Sequence, residues 1–156
     1  MATYDVDEGR LPVPEGWEDR TVNTLDYPRP TGLLRVVMTR QQARGRDIRK
    51  IVDENLVDMG RRLAGFELVS REEVELDGET GVSVFVHFKD DGELRDQRSL
   101  WLVVGKKALT VGVVCDATSS AECEAIFAQI RATLRLRDDD AEEPLEAAPP
   151  IAPPSV

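Results

Sequence analysis

The chain is poor in the groups that carry out chemistry. Its 156 residues include one histidine, His87, and two cysteines, Cys115 and Cys123. A lone imidazole with no cysteine or carboxylate cluster at ligand spacing makes a poor metal site. The two cysteines have no partner at metal-ligand spacing either, and they read as reduced, packed thiols. Nucleophile elbows, Walker loops and dinucleotide fingerprints are absent. The expectation is a protein without a cofactor, a metal or a catalytic residue, and so not an enzyme. Long apolar runs are missing too. The uncharged stretch from Ala108 to Cys115 is far short of the roughly 20 residues that a spanning helix needs. The first ten residues carry Asp5, Asp7 and Glu8 and lack the basic, then apolar, layout of a secretory signal. A cytoplasmic protein that does not itself insert in membranes is expected.

Basic residues are outnumbered, 20 against 30 acids, giving a net charge of -10 that disfavours nucleic acid as a partner. The excess is uneven. Residues 138–156 hold Asp138, Asp139, Asp140, Glu142, Glu143 and Glu146 with no base, together with Pro144, Pro149, Pro150, Pro153 and Pro154. A segment with so little to bury cannot offset its ordering entropy, so two regions are expected: a folded body, 1–137, and a disordered acidic tail, 138–156.

What the body does contain is pattern. Leu11 and Val13 alternate before a Pro14-Glu15-Gly16-Trp17 turn, and Thr21 to Leu25 returns as a strand, with Trp17 a core plug that closes this first hairpin. A turn through Pro28, Pro30 and Gly32 leads to a third strand, Leu33 to Thr39. Ile48, Ile51, Val52, Leu56, Met59 and Leu63 then share one face of a helix, with Arg61 and Arg62 in its last turn and Gly65 placed to end it. Four strands follow, at 66–76, 81–89, 93–104 and 108–115, with turns at Asp77-Gly78, Asp90-Asp91-Gly92 and Gly105-Lys106. Ser119 and Glu122 form a capping box for a second helix, whose stripe is Ile126, Phe127, Ile130 and Leu134. The fold class is α+β: a curved antiparallel sheet with two main helices packed on one face.

Charge runs in this body read as solvated surface. Arg71-Glu72-Glu73 and Asp90-Asp91 fall at outward strand positions and in a turn. The strand at 97–104 is more telling. Arg98, Leu100, Leu102 and Val104 make one face nearly aliphatic, whereas Gln97, Ser99, Trp101 and Val103 mix an amide, a hydroxyl and an indole. The aliphatic face can take the helices. Thr110 and Gly112 can continue the mixed face, which would suit an apolar helix carrying small and polar residues. A partly solvated sheet face or a dimer interface fits the same pattern.

Several motifs in order, Leu11-Pro12-Val13-Pro14-Glu15-Gly16-Trp17, Asp19-Arg20-Thr21-Val22-Asn23, Leu34-Arg35-Val36-Val37-Met38, Leu63-Ala64-Gly65-Phe66 and Leu76-Asp77-Gly78, resemble the DcrB-related family, particularly the Eag chaperones of bacterial type VI secretion. The resemblance covers roughly residues 8–136. It implies a fold like that of the Ran-binding Mog protein and the photosystem II protein PsbP. It also implies a homodimer that cradles the N-terminal transmembrane helices of a PAAR- or Rhs-type toxin until they are loaded on the secretion spike. Family glutamines late in the first helix and in the long strand would face that groove. Gln97 matches the strand position, Asn55 stands at the helix position, and Met59 and Val22 would line the same groove, with Ser99 and Trp101 beside Gln97 on the strand. A ligand- or regulator-binding module of the same fold is the alternative.

Overall fold

The computed structural model describes residues 2–6, 9–16, 20–29 and 32–136. Its strands are β1 (Ala2–Val6), β2 (Gly9–Val13), β3 (Val22–Asp26), β4 (Leu34–Gln42), β5 (Ala64–Leu76), β6 (Glu79–Asp90), β7 (Glu93–Val104) and β8 (Lys107–Asp116). Helix α1 spans Ile48–Arg62 and α2 spans Ser120–Thr133, the latter entered through a 3-10 turn at Ala117–Ser119. β3 to β8 form one open antiparallel sheet in the order β3-β4-β8-β7-β6-β5, and β1 and β2 form a separate hairpin. The α+β class is as the pattern predicts.

Two of the hairpin turns follow from local chemistry. Asp77 and Gly78 both sit at positive φ, 50° and 85°, as do Asp91 and Gly92, at 55° and 79°. This is the backbone a two-residue turn needs to match the strands' twist. α1 starts at Asp47, whose carboxylate accepts from the Arg49 amide at 2.7 Å. It closes at Leu63, whose N–H reaches the Met59 carbonyl. Gly65 is left-handed, φ 62°, but it lies just inside β5 instead of capping the helix, because the chain enters that strand at once.

Three further expectations change. The first hairpin pairs β2 with β1, register Tyr4↔Leu11, and not with the strand at 21–25. The link between β1 and β2 is two residues and that between β2 and β3 is eight, so the shorter closure wins. The alternation of Ala2, Tyr4 and Val6 is the signal for β1. Trp17 lies outside the described residues, as does the tail from 138. The Ser119–Glu122 capping box does not form, since Ser119 makes no side-chain cap. Arg29 takes both groups, its guanidinium 3.1 Å from the Ser119 hydroxyl and 2.5 Å from Glu122. Asp116 holds the turn before α2. Its carboxylate accepts from the Thr118 hydroxyl and from the Leu33 amide at 2.8 Å, which brings its pKa from 3.8 to about 2.

The third change concerns the helices, and the register decides it. Residues paired across neighbouring strands share a sheet face. Leu100 pairs with Val111, and Leu102 with Leu109. Leu100, Leu102, Val74, Leu76, Val113 and Cys115 pack with Cys123 and Phe127 of α2. The alternate position Trp101 pairs with Val82 and Thr110, and it packs with Val84, Val86 and, on α1, Ile48, Ile51 and Val52. Each helix therefore has a sheet face of its own. The mixed face of β7 is not the one left bare by the helices: it carries α1. Both faces of β7 are consequently buried, with Leu100 and Leu102 fully inaccessible on one side and Ser99 and Trp101 nearly so on the other. Burial of each leucine contributes about 1.5–3 kcal/mol.

Candidate functional site: a half-covered sheet face

α1 is narrower than the face it lies on. It packs on β5, β6 and β7, while β8, β4 and β3 continue that face beyond it. The pairing Trp101↔Thr110, Thr110↔Thr39 and Thr39↔Val22 carries one row from beneath the helix out to the sheet edge. Parallel rows run Ser99↔Gly112, Gly112↔Val37, Val37↔Thr24, and Gln97↔Val114, Val114↔Arg35, Arg35↔Asp26. All six residues assigned to the groove from the sequence sit on this one side or on the helix beside it.

Their environments differ. Trp101 and Ser99 are 3% and 1% exposed, and the indole Nε1 donates to the Ser99 hydroxyl at 2.8 Å. They are the floor under α1, and the indole N–H is satisfied there. Val22, on the edge strand, is 57% exposed. Gln97, Asn55 and Met59 are half-buried along the margin of the helix. The Asn55 amide nitrogen turns back and donates to the Ile51 carbonyl at 2.8 Å, which leaves the amide oxygen as its remaining acceptor.

The open part of the face is neutral. Val37, Thr39, Thr110 and Val114 are half-buried, Thr24 is exposed, and Gly112 leaves a low point among them. The single charged pair on these rows is Asp26–Arg35, at the outer end, where the two groups neutralise each other at 2.5 Å and draw the Asp26 carboxyl below its usual range. Such a surface can receive an apolar segment without stranding a charge, and its hydroxyls and amides can meet that segment's own polar groups. Thr24, Val37, Thr39 and Val114 were missed from the sequence. Their strands read there as separate elements, and only the register joins β3 and β4 to β8.

Other titratable groups lie elsewhere. His87 Nδ1 is 2.8 Å from Asp96 Oδ1 on the α2 side, with the Phe85 ring edge-on to the imidazole. Cys115 and Cys123 are free and fully buried, and burial, with Cys123 alongside, pushes the Cys115 thiol up to about 12. Both are packed and unbridged, in keeping with the reading of them as reduced, packed thiols. Arg71, Glu72 and Glu73 are not merely solvated. Arg71 pairs with Asp53 at 2.5 Å and Glu73 with Arg49, both on α1, while Glu72 approaches Arg131 of α2 at 3.4 Å. Among the described residues no group of three or more His, Cys, Asp or Glu is arranged to hold a metal ion, and no helix is long and apolar enough to cross a membrane.

Among curated proteins none matches. One similar solved structure is PA94 from Pseudomonas aeruginosa, a protein of unknown function suggested to be a regulator: TM-score 0.74, 21% identity, covering 88% of this chain and 97% of that one. Another is LpqN of Mycobacterium tuberculosis, described as involved in cell envelope biogenesis: TM-score 0.50, 14% identity, with 79% of each chain covered. At these identities the likeness concerns the fold, and neither description names an enzyme activity. The DcrB family matches over residues 8–133, from β2 through the end of α2. That span takes in the whole sheet and both helices, and the chain belongs to the DcrB family.

Proposed function

We propose that this protein is a non-enzymatic, cytoplasmic chaperone of type VI secretion, of the Eag kind, that holds the N-terminal hydrophobic helices of a PAAR- or Rhs-type toxin before export. The observation that carries the reading is the half-covered face of β3, β4 and β8, apolar yet furnished with neutral hydrogen-bonding groups. A transmembrane helix in water exposes side chains that each gain about 1.5–3 kcal/mol on full burial. It also carries small and polar residues that need partners once desolvated. Val22, Val37 and Val114 supply the apolar contact. Thr24, Thr39, Thr110 and Gln97 supply hydroxyls and an amide, and the Asn55 oxygen and the adaptable Met59 side chain line the helix margin. Trp101 and Ser99 act from beneath, fixing the height of α1 over the groove. A second copy of the chain would complete a cradle, since one open half-face covers only one side of a helix.

The test is co-expression with the hydrophobic N-terminal segment of the toxin encoded beside the gene, followed by pull-down and mass measurement. The expected product is a complex containing two copies of this chain, weakened when Gln97 and Asn55 are both replaced by alanine. A stable protein that ignores such segments would sink the proposal and favour a regulator-binding module of the same fold.

A further inference from the structure

The α2 side holds a buried charge that the groove leaves unused. Arg98 projects from β7 onto this side, level with Val113 and Phe85, and is only 8% exposed. A buried guanidinium calls for a close counter-charge and for acceptors to its five N–H donors. Arg98 has little of either. It lies 3.4 Å and 3.2 Å from the Ser120 carbonyl and hydroxyl, at the long end for hydrogen bonds. Its carbon centre stacks 4.0 Å over the Phe85 ring, and its nearest carboxylate, Glu124, is 4.0 Å away on a side chain 71% exposed. The other buried charge on this face, Asp96, has His87 at 2.8 Å.

The same guanidinium lines a cavity of about 620 Å³ between α2 and strands β5 to β7, a size typical of small-molecule sites. On α2 it is lined by Phe127, Ala128 and Ala132, with the charged Glu124 and Arg131 beside them. Arg131 stands at the rim, held at 3.4 Å by Glu72. We infer that this cleft binds a small organic carboxylate with an apolar body: its carboxylate takes the place of Glu124 against Arg98, and its body lies along Phe127 and Ala128. A carboxylate matches the planar donor fork of arginine and would supply the close counter-charge now lacking. Glu72 and Glu75 also line the cleft but are exposed, Glu72 with Arg131 beside it. A cationic ligand at Arg98, by contrast, would add to the buried positive charge and find the Phe85 face already occupied. The rim carboxylate Glu124 is exposed and free to turn to water, so it competes with the ligand without blocking it.

The site is on the opposite face from the groove, so its test stands apart from that of the proposed function. The full chain is titrated with phenylacetate and with decanoate, followed by NMR. Saturable shifts at Phe85, Arg98 and Phe127 are expected, with none from the neutral phenylacetamide. Glu124→Gln should tighten binding severalfold by removing the competing carboxylate, an effect that a structural role for Arg98 would not produce. Arg98→Met should abolish binding. Ala128→Phe, at an exposed helix position that tolerates substitution, should do the same by filling the cleft with Arg98 intact. No saturable shift from either acid, equal binding of phenylacetamide, or an affinity unmoved by Glu124→Gln would overturn the inference.

Discussion

The two faces of one strand, β7, meet different fates. Leu100 and Leu102 disappear beneath α2 into a core that reaches from β5 to β4. Ser99 and Trp101 disappear beneath α1, but the rows they begin run out from under the helix and stay open across β8, β4 and β3. On the first face Leu100 and Leu102 serve packing, and the buried charges Asp96 and Arg98 lie further along the same strand. On the second, the covered part serves packing while the uncovered part keeps valine and threonine where an ordinary solvent face would carry charges. Local chemistry thus separates a closed, packed region from an open one on a single sheet.

The sharpest way to break the comparison is to cut into the closed face. Leu102→Ala should cost about 2–5 kcal/mol in urea unfolding, as deletion of a fully buried leucine does. A small loss would mean that the α2 face is not the main core. Next comes the floor under α1. Trp101→Phe keeps most of the packing but leaves the Ser99 hydroxyl without its indole partner, and about 1–2 kcal/mol is expected by the same measurement.

The acid end of the stability curve tests the entrance to α2. The folded-state pKa of Asp116 is depressed, so its contribution is present above about pH 4 and is lost as the pH falls through about 2. Asp116→Asn should flatten the stability profile across that window. An unchanged slope would show that other carboxylates govern acid unfolding. The smallest effect on stability should come from the open face, where Thr110→Val is expected to stay within about 0.5 kcal/mol of the parent.

Much of this comparison was legible in the sequence. Periodicity located α1 and α2, and Asp-Gly turns set the boundaries of β5 to β8, because both signals are local. The alternation along β7 also separated the Leu100 face from the Trp101 face correctly. Which helix covers which face was not legible: α1 contributes Ile51 and Val52 to the Trp101 side, and no spacing within the helix encodes that choice. The groove was legible only in part. Gln97 and Thr110 were recognisable on consecutive strands, but Val37 and Thr24 reach the site through pairings of β4 with β8 and β3 with β4 that join residues far apart in the chain. Ser119 and Glu122 misled for a similar reason, since a distant residue, Arg29, outcompetes the local cap.

The most direct test uses two neighbours on β3. Val22 and Leu25 are both highly exposed, 57% and 61%, but Val22 pairs with Thr39 on the open face and Leu25 with Val36 on the α2 side. Affinity for the toxin's hydrophobic segment is to be measured for Val22→Asp and Leu25→Asp, each checked for an unchanged thermal melt. A carboxylate placed in the groove should weaken binding at least about tenfold, a cost of roughly 1.4 kcal/mol, whereas the same change at Leu25 should leave binding intact. Equal binding by both variants, or a loss confined to Leu25→Asp, would contradict the assignment of the α1 side as the face that holds the partner.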